Sequence, residues 1–382
     1  MSTMERILRL MADKNASDVY LSANSPALIK INGQALPINS QVLPPDAPLN
    51  LLSEILPPEK IEELREIGEL NVAIPLAGVG NFRISGFRQR GTYAAVIRYV
   101  PTAIPPLGNL KLPAILADLV MEKRGLLLMV GATGAGKSTT LASMIDHRNA
   151  RTLGHILTIE DPIEFLFTNK KSVVNQREVG SDTQSLQVGL KNALRQAPDV
   201  IMIGEIRDRE TMSAAIAYAQ SGHLCLATMH ANNSYQALNR ILGFYPVEVR
   251  STMLGDLSAA TKAIVSQRLL RTQAGSRAPA VEVMLNTKLI SEFIEKGDFS
   301  SVKEAMEKSM AEGSQTFEQD IAKLIGDGTV TRKEGLLYAD SPTNLMWRLE
   351  NDFAVATRAA AAPVEDPDDE PSFTEITLDV KH

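Results

Sequence analysis

The residues best suited to chemistry form a glycine-rich loop directly after an apolar run at 126–130. The pattern is G-x-x-x-x-G-K-S, and a predicted helix follows it, which is the context of a phosphate-binding loop. Backbone N–H groups of such a loop surround phosphate oxygens, and the helix N-terminus adds positive potential. We expect Lys137 to contact the β- and γ-phosphates of a nucleotide and Ser138 to ligate Mg²⁺. The predicted nucleotide-binding residues are Gly131, Ala132, Thr133, Gly134, Ala135, Gly136, Lys137, Ser138 and Thr139.

Acidic side chains follow two further predicted strands. Glu160, Asp161 and Glu164 lie within 158–165, where they could orient and deprotonate an attacking water, and residue type alone does not choose among them. The apolar run 200–203 ends in Gly204-Glu205, an acid at a strand end as in a Walker B motif. Such an acid holds magnesium directly or through water. Ser138 and Glu205 are therefore the predicted metal-binding residues.

Histidines and arginines complete the set. His223 and His230 flank a predicted strand at 224–228, and we favour His230, at its carboxyl end, as a γ-phosphate sensor or relay. Arg83 lies on the polar face of another predicted strand, with Arg98 nearby. An arginine from a neighbouring subunit can stabilise a phosphoryl-transfer transition state. Arg83 and Arg98 are candidates for this role, and the alternative is that they are ordinary solubilising side chains.

The helices and strands that position these residues begin with a small α+β domain at 1–104. Its helices are predicted from apolar spacing and from the Pro57-Pro58 start signal, and Asn32-Gly33 predicts a tight hairpin. A linker rich in proline follows from about 101 to 108. The predicted helices are 4–11 and 58–67, and the predicted strands are 27–31, 34–38, 70–74, 81–87 and 92–100.

Residues 105–350 carry the predicted linker and an α/β domain in which strands alternate with helices. This alternation predicts a mainly parallel sheet covered by helices, with the ligand site at the carboxyl ends of the strands. C-terminal helices follow a strand at 280–285, and residues 351–382 have the composition of an acidic disordered tail. The predicted strands are 126–130, 156–159, 200–203 and 224–228, and the predicted helices between them are 138–147, 182–197 and 209–221.

The net charge, the cysteine count and the lengths of the apolar runs exclude or disfavour several classes of function. Residues 351–382 carry a net charge of −6, which is that of the whole chain of 382 residues, so the body at 1–350 is neutral. A neutral body disfavours nucleic acid as the main ligand. The single cysteine, Cys225, excludes a cysteine-cluster zinc site and an internal disulfide. No apolar run suits a membrane span or a signal peptide, so we expect a cytoplasmic protein.

The sequence resembles the secretion-superfamily ATPases at four motifs, and most closely the PilT/PilU group of type IV pilus retraction ATPases (twitching motility). The motifs lie at 131–138, 158–165, 199–205 and 222–230, and the resemblance covers about residues 4–350. It implies a PAS-like N-terminal domain, a RecA-like P-loop NTPase domain, and a homohexameric motor with ATP between its domains. It also implies roles for individual side chains: Glu164 as general base, Glu205 as Walker B acid, His230 as a coupling residue, and Arg83 and Arg98 at a neighbouring subunit's nucleotide.

Two departures place the chain within this group. One cysteine cannot form the tetracysteine zinc module of extension ATPases. Glu292 and Glu295 lie where the resemblance leads us to expect arginines of the principal retraction ATPases, which points to the accessory, PilU-type branch. Such a protein would work with a PilT-type ring and the pilus platform protein at the inner face of the bacterial inner membrane. The alternatives are a principal PilT-type motor and an ATP-binding regulatory subunit, with a nucleic-acid translocase disfavoured by the neutral body.

Overall fold

The N-terminal domain is an antiparallel sheet covered by helices. The computed structural model describes residues 2–14, 16–31, 33–100, 103–309 and 311–360. Within that part of the chain, the first sheet has the strand order β3-β2-β1-β6-β5-β4, and every pair in it is antiparallel. The elements are α1 (Thr3–Asp13), β1 (Asp18–Ser22), β2 (Pro26–Ile31), β3 (Gln34–Val42), α2 (Ala47–Ser53), α3 (Pro58–Ile67), β4 (Glu69–Leu76), β5 (Gly80–Gln89) and β6 (Thr92–Val100).

Local sequence signals explain most of these elements. Ser2 caps α1 by accepting a hydrogen bond from the Glu5 N–H, and the apolar stripe of this helix is buried. The predicted hairpin is present, because Ile31 pairs with Gln34 across the turn. Strand β5 alternates buried and half-buried residues, so its buried face packs on the helices while Arg83 lies on the opposite face.

The second domain is built on a mainly parallel sheet. Within the described residues its strand order is β13-β12-β7-β11-β10-β8-β9, and only the β12–β13 pair is antiparallel. Its elements are α4 (Ile115–Leu119), β7 (Gly125–Val130), α5 (Lys137–Asn149), β8 (Gly154–Glu160), β9 (Ser172–Glu178), α6 (Leu186–Ala193), β10 (Val200–Ile203), α7 (Arg209–Gln220), β11 (Leu224–Met229), α8 (Ser234–Gly243), α9 (Arg250–Ala260), β12 (Thr261–Arg271), β13 (Arg277–Leu285), α10 (Lys288–Lys296), α11 (Ser300–Glu307), α12 (Phe317–Gly326), α13 (Arg332–Tyr338) and α14 (Pro342–Ala360).

Helices cover both faces of this sheet. Alternate residues of β7 enter two separate apolar cores, with Leu126, Leu128 and Val130 in one and Leu127 and Met129 in the other. All residues of β7, β10 and β11 are buried, as expected for central strands of a covered parallel sheet. The mixed α/β architecture predicted from the sequence is therefore confirmed.

Some element boundaries differ from the prediction. Helix α6 begins at Leu186 rather than near Asp182, because Ser185 caps it and the Asp182 carboxylate accepts a hydrogen bond from the Glu178 N–H instead. Strands β1, β9 and β12 were not predicted. Helix α14 continues to Ala360 instead of ending near 351, since no glycine or proline interrupts the sequence between 343 and 362. Residues 361–382, most of the predicted tail, lie outside the described residues.

None of the helices in the described ranges is long and apolar enough to cross a membrane.

Candidate active site

A cavity of about 540 Å³ lies at the carboxyl ends of the parallel strands, where β5 and β6 of the N-terminal domain meet the second domain. This is the edge at which open α/β sheets bind ligands. Gly131, Ala132 and Ala135 belong to the same loop without lining the cavity. The predicted site residues that line it are Arg83, Arg98, Thr133, Gly134, Gly136, Lys137, Ser138, Thr139, Glu164, Glu205 and His230.

The glycine-rich loop has the backbone conformation that its sequence predicts. Gly134 and Gly136 have φ angles of 78° and 87°, in the left-handed region that favours glycine. Gly136 precedes the first residue of α5, Lys137, so the loop ends at a helix N-terminus. The Lys137 ammonium donates hydrogen bonds to the carbonyls of Gly131 and Ala132, at 2.8 and 2.9 Å. The lysine is therefore held inside the curve of the loop.

Sequence reasoning missed the residue that fixes this loop to the sheet, Gln267 of β12. Its buried side-chain amide donates to the Ala135 carbonyl at 2.9 Å and accepts from the Thr140 hydroxyl at 2.8 Å. A Cβ on Gly136 would lie 2.6 Å from Nε2 of Gln267, so only glycine fits there without displacing the amide. The available signal was a run of polar residues, Ser266-Gln267-Arg268, inside the apolar stretch 263–270.

The acidic residues after β8 occupy two different environments. Glu160 is only 6% exposed and accepts hydrogen bonds at Oε1 from Thr158 and Gln176. Burial raises the pKa of the Glu160 carboxyl, although these hydrogen bonds act in the opposite direction. Glu164 is exposed to the cavity, and its negative charge reaches both Lys137 and Arg83. Glu160 is thus committed to protein partners, whereas Glu164 faces the space that a ligand would fill.

Glu205 lies at the centre of a charged cluster on the neighbouring strands. Its Oε2 accepts from Nε and Nη2 of Arg207, at 2.8 and 2.6 Å, and its Oε1 lies 3.3 Å from Nε2 of His230. His230 follows β11 and lines the cavity, whereas His223 lies at the opposite end of the strand and contacts Ser221. Of the two histidines, the structure therefore brings only His230 to the predicted acids.

Both predicted arginines line the cavity of their own chain, and their role at a neighbouring subunit's nucleotide, which the resemblance implied, stays a prediction. Arg83 faces Arg98 across the β5–β6 pair, and its Nη2 lies 3.9 Å from Oε2 of Glu178 in the second domain. Strand β5 thus directs Arg83 toward the same chain's phosphate-binding loop. Arg98 is more exposed and is held at the rim by Asp18, at 3.0 Å. A third arginine, Arg277 of β13, also lines the cavity and was not predicted.

The charge distribution of the cavity suits a polyphosphate. Nη2 of Arg83 is buried and has no hydrogen-bond partner within the described residues, a donor that an anionic ligand would satisfy. Burial lowers the pKa of the Lys137 ammonium, and the carboxylates of Glu205 and Glu164 oppose this shift. Ser138 and Glu205 present oxygen atoms to the same space, the ligand type that Mg²⁺ prefers. The residues present therefore fit ATP and Mg²⁺.

Comparisons with known proteins identify the family of this chain. Residues 107–296 match the family described as type II/IV secretion system protein. The chain is 46% identical over 342 residues to the type IV pilus ATPase PilU of Pseudomonas aeruginosa, covering 89% of this chain and 90% of that protein. It is 33% identical over 338 residues to the retraction ATPase PilT of the same organism, covering 88% and 98%.

The crystal structure of the pilus retraction motor PilT with bound ADP has a TM-score of 0.84 to this chain. The sequence identity is 36%, and the match covers 91% of this chain and 99% of that one. Such coverage includes both domains. The resemblance read from the four motifs is confirmed, and the chain is an ATPase that belongs to the PilT/PilU family of type IV pilus motors.

Proposed function

We propose that this protein hydrolyses ATP to drive type IV pilus retraction, as an accessory motor of the PilU type. The observation that carries the proposal is the cavity in which Lys137, Glu164, Glu205 and His230 of one domain meet Arg83 of the other. A site shared by two domains can convert ATP turnover into relative movement of those domains. The 46% identity to PilU over most of both chains supports the pilus as the place of work.

The side chains have separate tasks in this proposal. Lys137 and the loop N–H groups hold the phosphates, and Arg83 stabilises charge on the transferred phosphoryl group. Glu164 accepts the proton of the attacking water, because its carboxylate is exposed to the cavity. Ser138 and Glu205 would hold Mg²⁺, which supplies charge neutralisation at the phosphates when bound. His230, 3.3 Å from Glu205, couples the state of that acid to β11 and the loop after it.

The assembly proposed is a homohexamer that acts together with a PilT-type ring and the pilus platform protein, at the inner face of the bacterial inner membrane. The accessory role is argued from α10. Glu292 and Glu295 are exposed on this helix, while Ile290 and Ile294 bury its other face. Acids in place of a basic surface would weaken any contact built on charge complementarity without altering the phosphate site.

The frequency of pilus retraction, measured with fluorescently labelled pili, tests the proposal in two genetic backgrounds. Without the PilT-type motor, this protein is expected to restore little retraction. With a catalytically dead PilT-type motor present, it should restore substantial retraction, and its Lys137→Ala variant is the control that should not. Robust retraction in the first background would make this chain a principal motor. Failure in both backgrounds, with normal ATP turnover in vitro, would contradict a motor role in retraction.

A further inference from the structure

Strand β12 contacts two functional segments through adjacent residues. Gln267 holds the phosphate-binding loop, as described above, and its neighbour Arg268 lies on the opposite face of the strand. Nη2 of Arg268 donates to the Asn232 carbonyl at 3.1 Å, and Nη1 donates to the Tyr338 carbonyl. Arg268 therefore connects the loop after His230 with the end of α13.

Asp340 completes this connection. Its Oδ1 accepts from Nη2 of Arg268, and its Oδ2 accepts from the Asn233 side-chain amide at 2.7 Å. Both Asp340 and Arg268 are largely buried, with side chains 14% and 17% exposed. The Arg268 guanidinium also lies 3.9 Å above the Phe317 ring of α12. We call Asn233, Arg268 and Asp340 the Arg268 cluster.

The loop after His230 has little freedom while the Arg268 cluster is intact. Asn233 is 1% exposed, and its Oδ1 caps α8 by accepting from the Gln236 N–H, so its amide cannot turn over to replace a lost partner. The His230 carbonyl accepts from Arg240 of α8 at 2.7 Å. The position of His230 against Glu205 therefore depends on where α8 begins, and Asp340 fixes that point through Asn233.

The segment between α13 and α14 is itself held by the C-terminal helices. The Ser341 N–H donates to buried Glu318 of α12 at 2.7 Å, and Lys303 of α11 pairs with the same carboxylate at 3.2 Å. A shift of these helices would therefore move Asp340 and, with it, the Asn233 loop. Such a shift would not act directly on the phosphate-binding loop, because that loop is held by Gln267 on the other face of β12.

We infer that Arg268 and Asp340 are positioning residues for ATP hydrolysis, which hold His230 against Glu205 and connect the C-terminal helices to the catalytic side of the site. The inference rests on the role proposed above for His230. Misplacing a group near the reacting atoms lowers the rate of the chemical step without loosening substrate binding. Loss of the Arg268 cluster should therefore lower kcat and leave the KM for ATP nearly unchanged.

Steady-state ATPase kinetics of the purified full-length protein test this in a double-mutant cycle. Asp340→Ala is expected to lower kcat at least about tenfold, with KM within about twofold. In a His230→Ala background, the same substitution should cost no further kcat, because the group it positions is gone. Arg268→Lys should lower kcat less than Arg268→Ala. Glu350→Gln, which removes an exposed ion pair with Arg332 on the same helices, is the matched control and should leave kcat unchanged.

An equal loss of kcat in both backgrounds, or no loss in either, would overturn the inference. Asp340→Asn provides the same comparison if the alanine variant does not fold, because its NH₂ group replaces one of the two oxygens that accept from Arg268 and Asn233. If His230→Ala itself leaves kcat unchanged, then the role of His230 and this inference are both wrong. The pilus-retraction proposal is measured by retraction frequency and can stand or fail independently of these kinetics.

Discussion

The two glutamates of the acidic segment show how burial separates residues of the same type. Glu160 and Glu164 lie four positions apart, and both line the cavity. Glu160 is held by Thr158 and Gln176, so the lone pairs of its Oε1 already have partners. Glu164 follows the strand end and is exposed to the space beside Lys137. Only the position of β9, which supplies Gln176 and was not predicted, makes this difference visible.

Glu164→Gln should reduce ATP turnover about 100-fold or more, because an amide cannot accept a proton from water. Binding of ATP should persist, since the phosphate loop is untouched. Glu160→Gln should have a much smaller effect, because the amide oxygen can still accept from Thr158 and Gln176. Phosphate release and nucleotide affinity of the purified variants measure both effects. The opposite ranking of the two variants would identify Glu160 as the base.

The pH dependence of stability tests the buried charge of Glu160. Its folded-state pKa is raised by burial, so the stability linked to its protonation is present below about pH 4 and is lost as pH rises through the folded pKa. Glu160→Gln removes this charge and keeps the acceptor at Oε1. The variant should therefore unfold near the wild-type temperature at pH 4 and above it at pH 8. If wild type and Glu160→Gln had equal melting temperatures at pH 4 and also at pH 8, the Glu160 carboxyl would not have a raised pKa.

At the scale of elements, sequence signals were most reliable where local chemistry fixes the backbone. Pro57-Pro58 at the start of α3, Asn32-Gly33 between β2 and β3, and the glycines before α5 each specified their element. Thr331 and Glu334 have the spacing of a capping box, and Thr331 does cap α13. The Glu334 carboxylate, however, accepts from the Arg271 N–H instead of from the backbone of Thr331. Tertiary contacts of this kind cannot be read from spacing alone.

Strand β12 is the clearest example of what the sequence did not predict. It supports the site because it lies beside β7, where Ser266 pairs with Val130, the residue just before the phosphate-binding loop. That register brings Gln267 to Ala135, more than a hundred positions earlier in the chain. No local pattern contains such a long-range pairing, so the four motifs indicated the reactive residues but not the strand that supports them.

Gly136→Ala tests how rigidly β12 holds the loop, and Gly134→Ala is its matched control. Both positions have φ in the left-handed region, so alanine costs about 1–2 kcal/mol at either. A Cβ at 134 has open space, whereas a Cβ at 136 would displace Nε2 of Gln267. Losing the Ala135 and Thr140 hydrogen bonds should cost roughly 1–3 kcal/mol more.

Urea unfolding without nucleotide measures this difference, which should be at least about 1 kcal/mol between the two variants. Adding Gln267→Ala should remove most of the extra penalty, since the displaced amide is then absent. Equal free energies of unfolding for the two glycine variants would mean that the Gln267 side chain can move away from a Cβ at position 136 without loss of stability.

At the scale of the whole molecule, the active site forms only where the two domains meet. The phosphate-binding loop and the acids belong to the second domain, and Arg83 and Arg98 come from the antiparallel sheet. The domains contact each other where Arg83 approaches Glu178, and the linker is held to the second domain by the hydrogen bond from Ser143 of α5 to the Pro105 carbonyl. A change in the bound nucleotide would act on Arg83 and thereby on the angle between the domains.

This geometry predicts that Arg83 serves the nucleotide of its own chain. Lys137→Ala and Arg83→Ala proteins should each turn over ATP at least about 100-fold more slowly than wild type. When the two are mixed under conditions of subunit exchange, a cis arrangement leaves every site without either the lysine or the arginine. The mixture should therefore be no more active than its separate components. Energy transfer between differently labelled chains verifies that exchange takes place, and a mixture of Lys137→Ala with wild type provides the matched control for turnover.

If Arg83 instead reached a neighbour's nucleotide, mixed rings would join an intact lysine to an intact arginine across a subunit boundary. Recovery of turnover on mixing would thus show that the arginine acts in trans and that the domain contact seen within one chain is not the catalytic one.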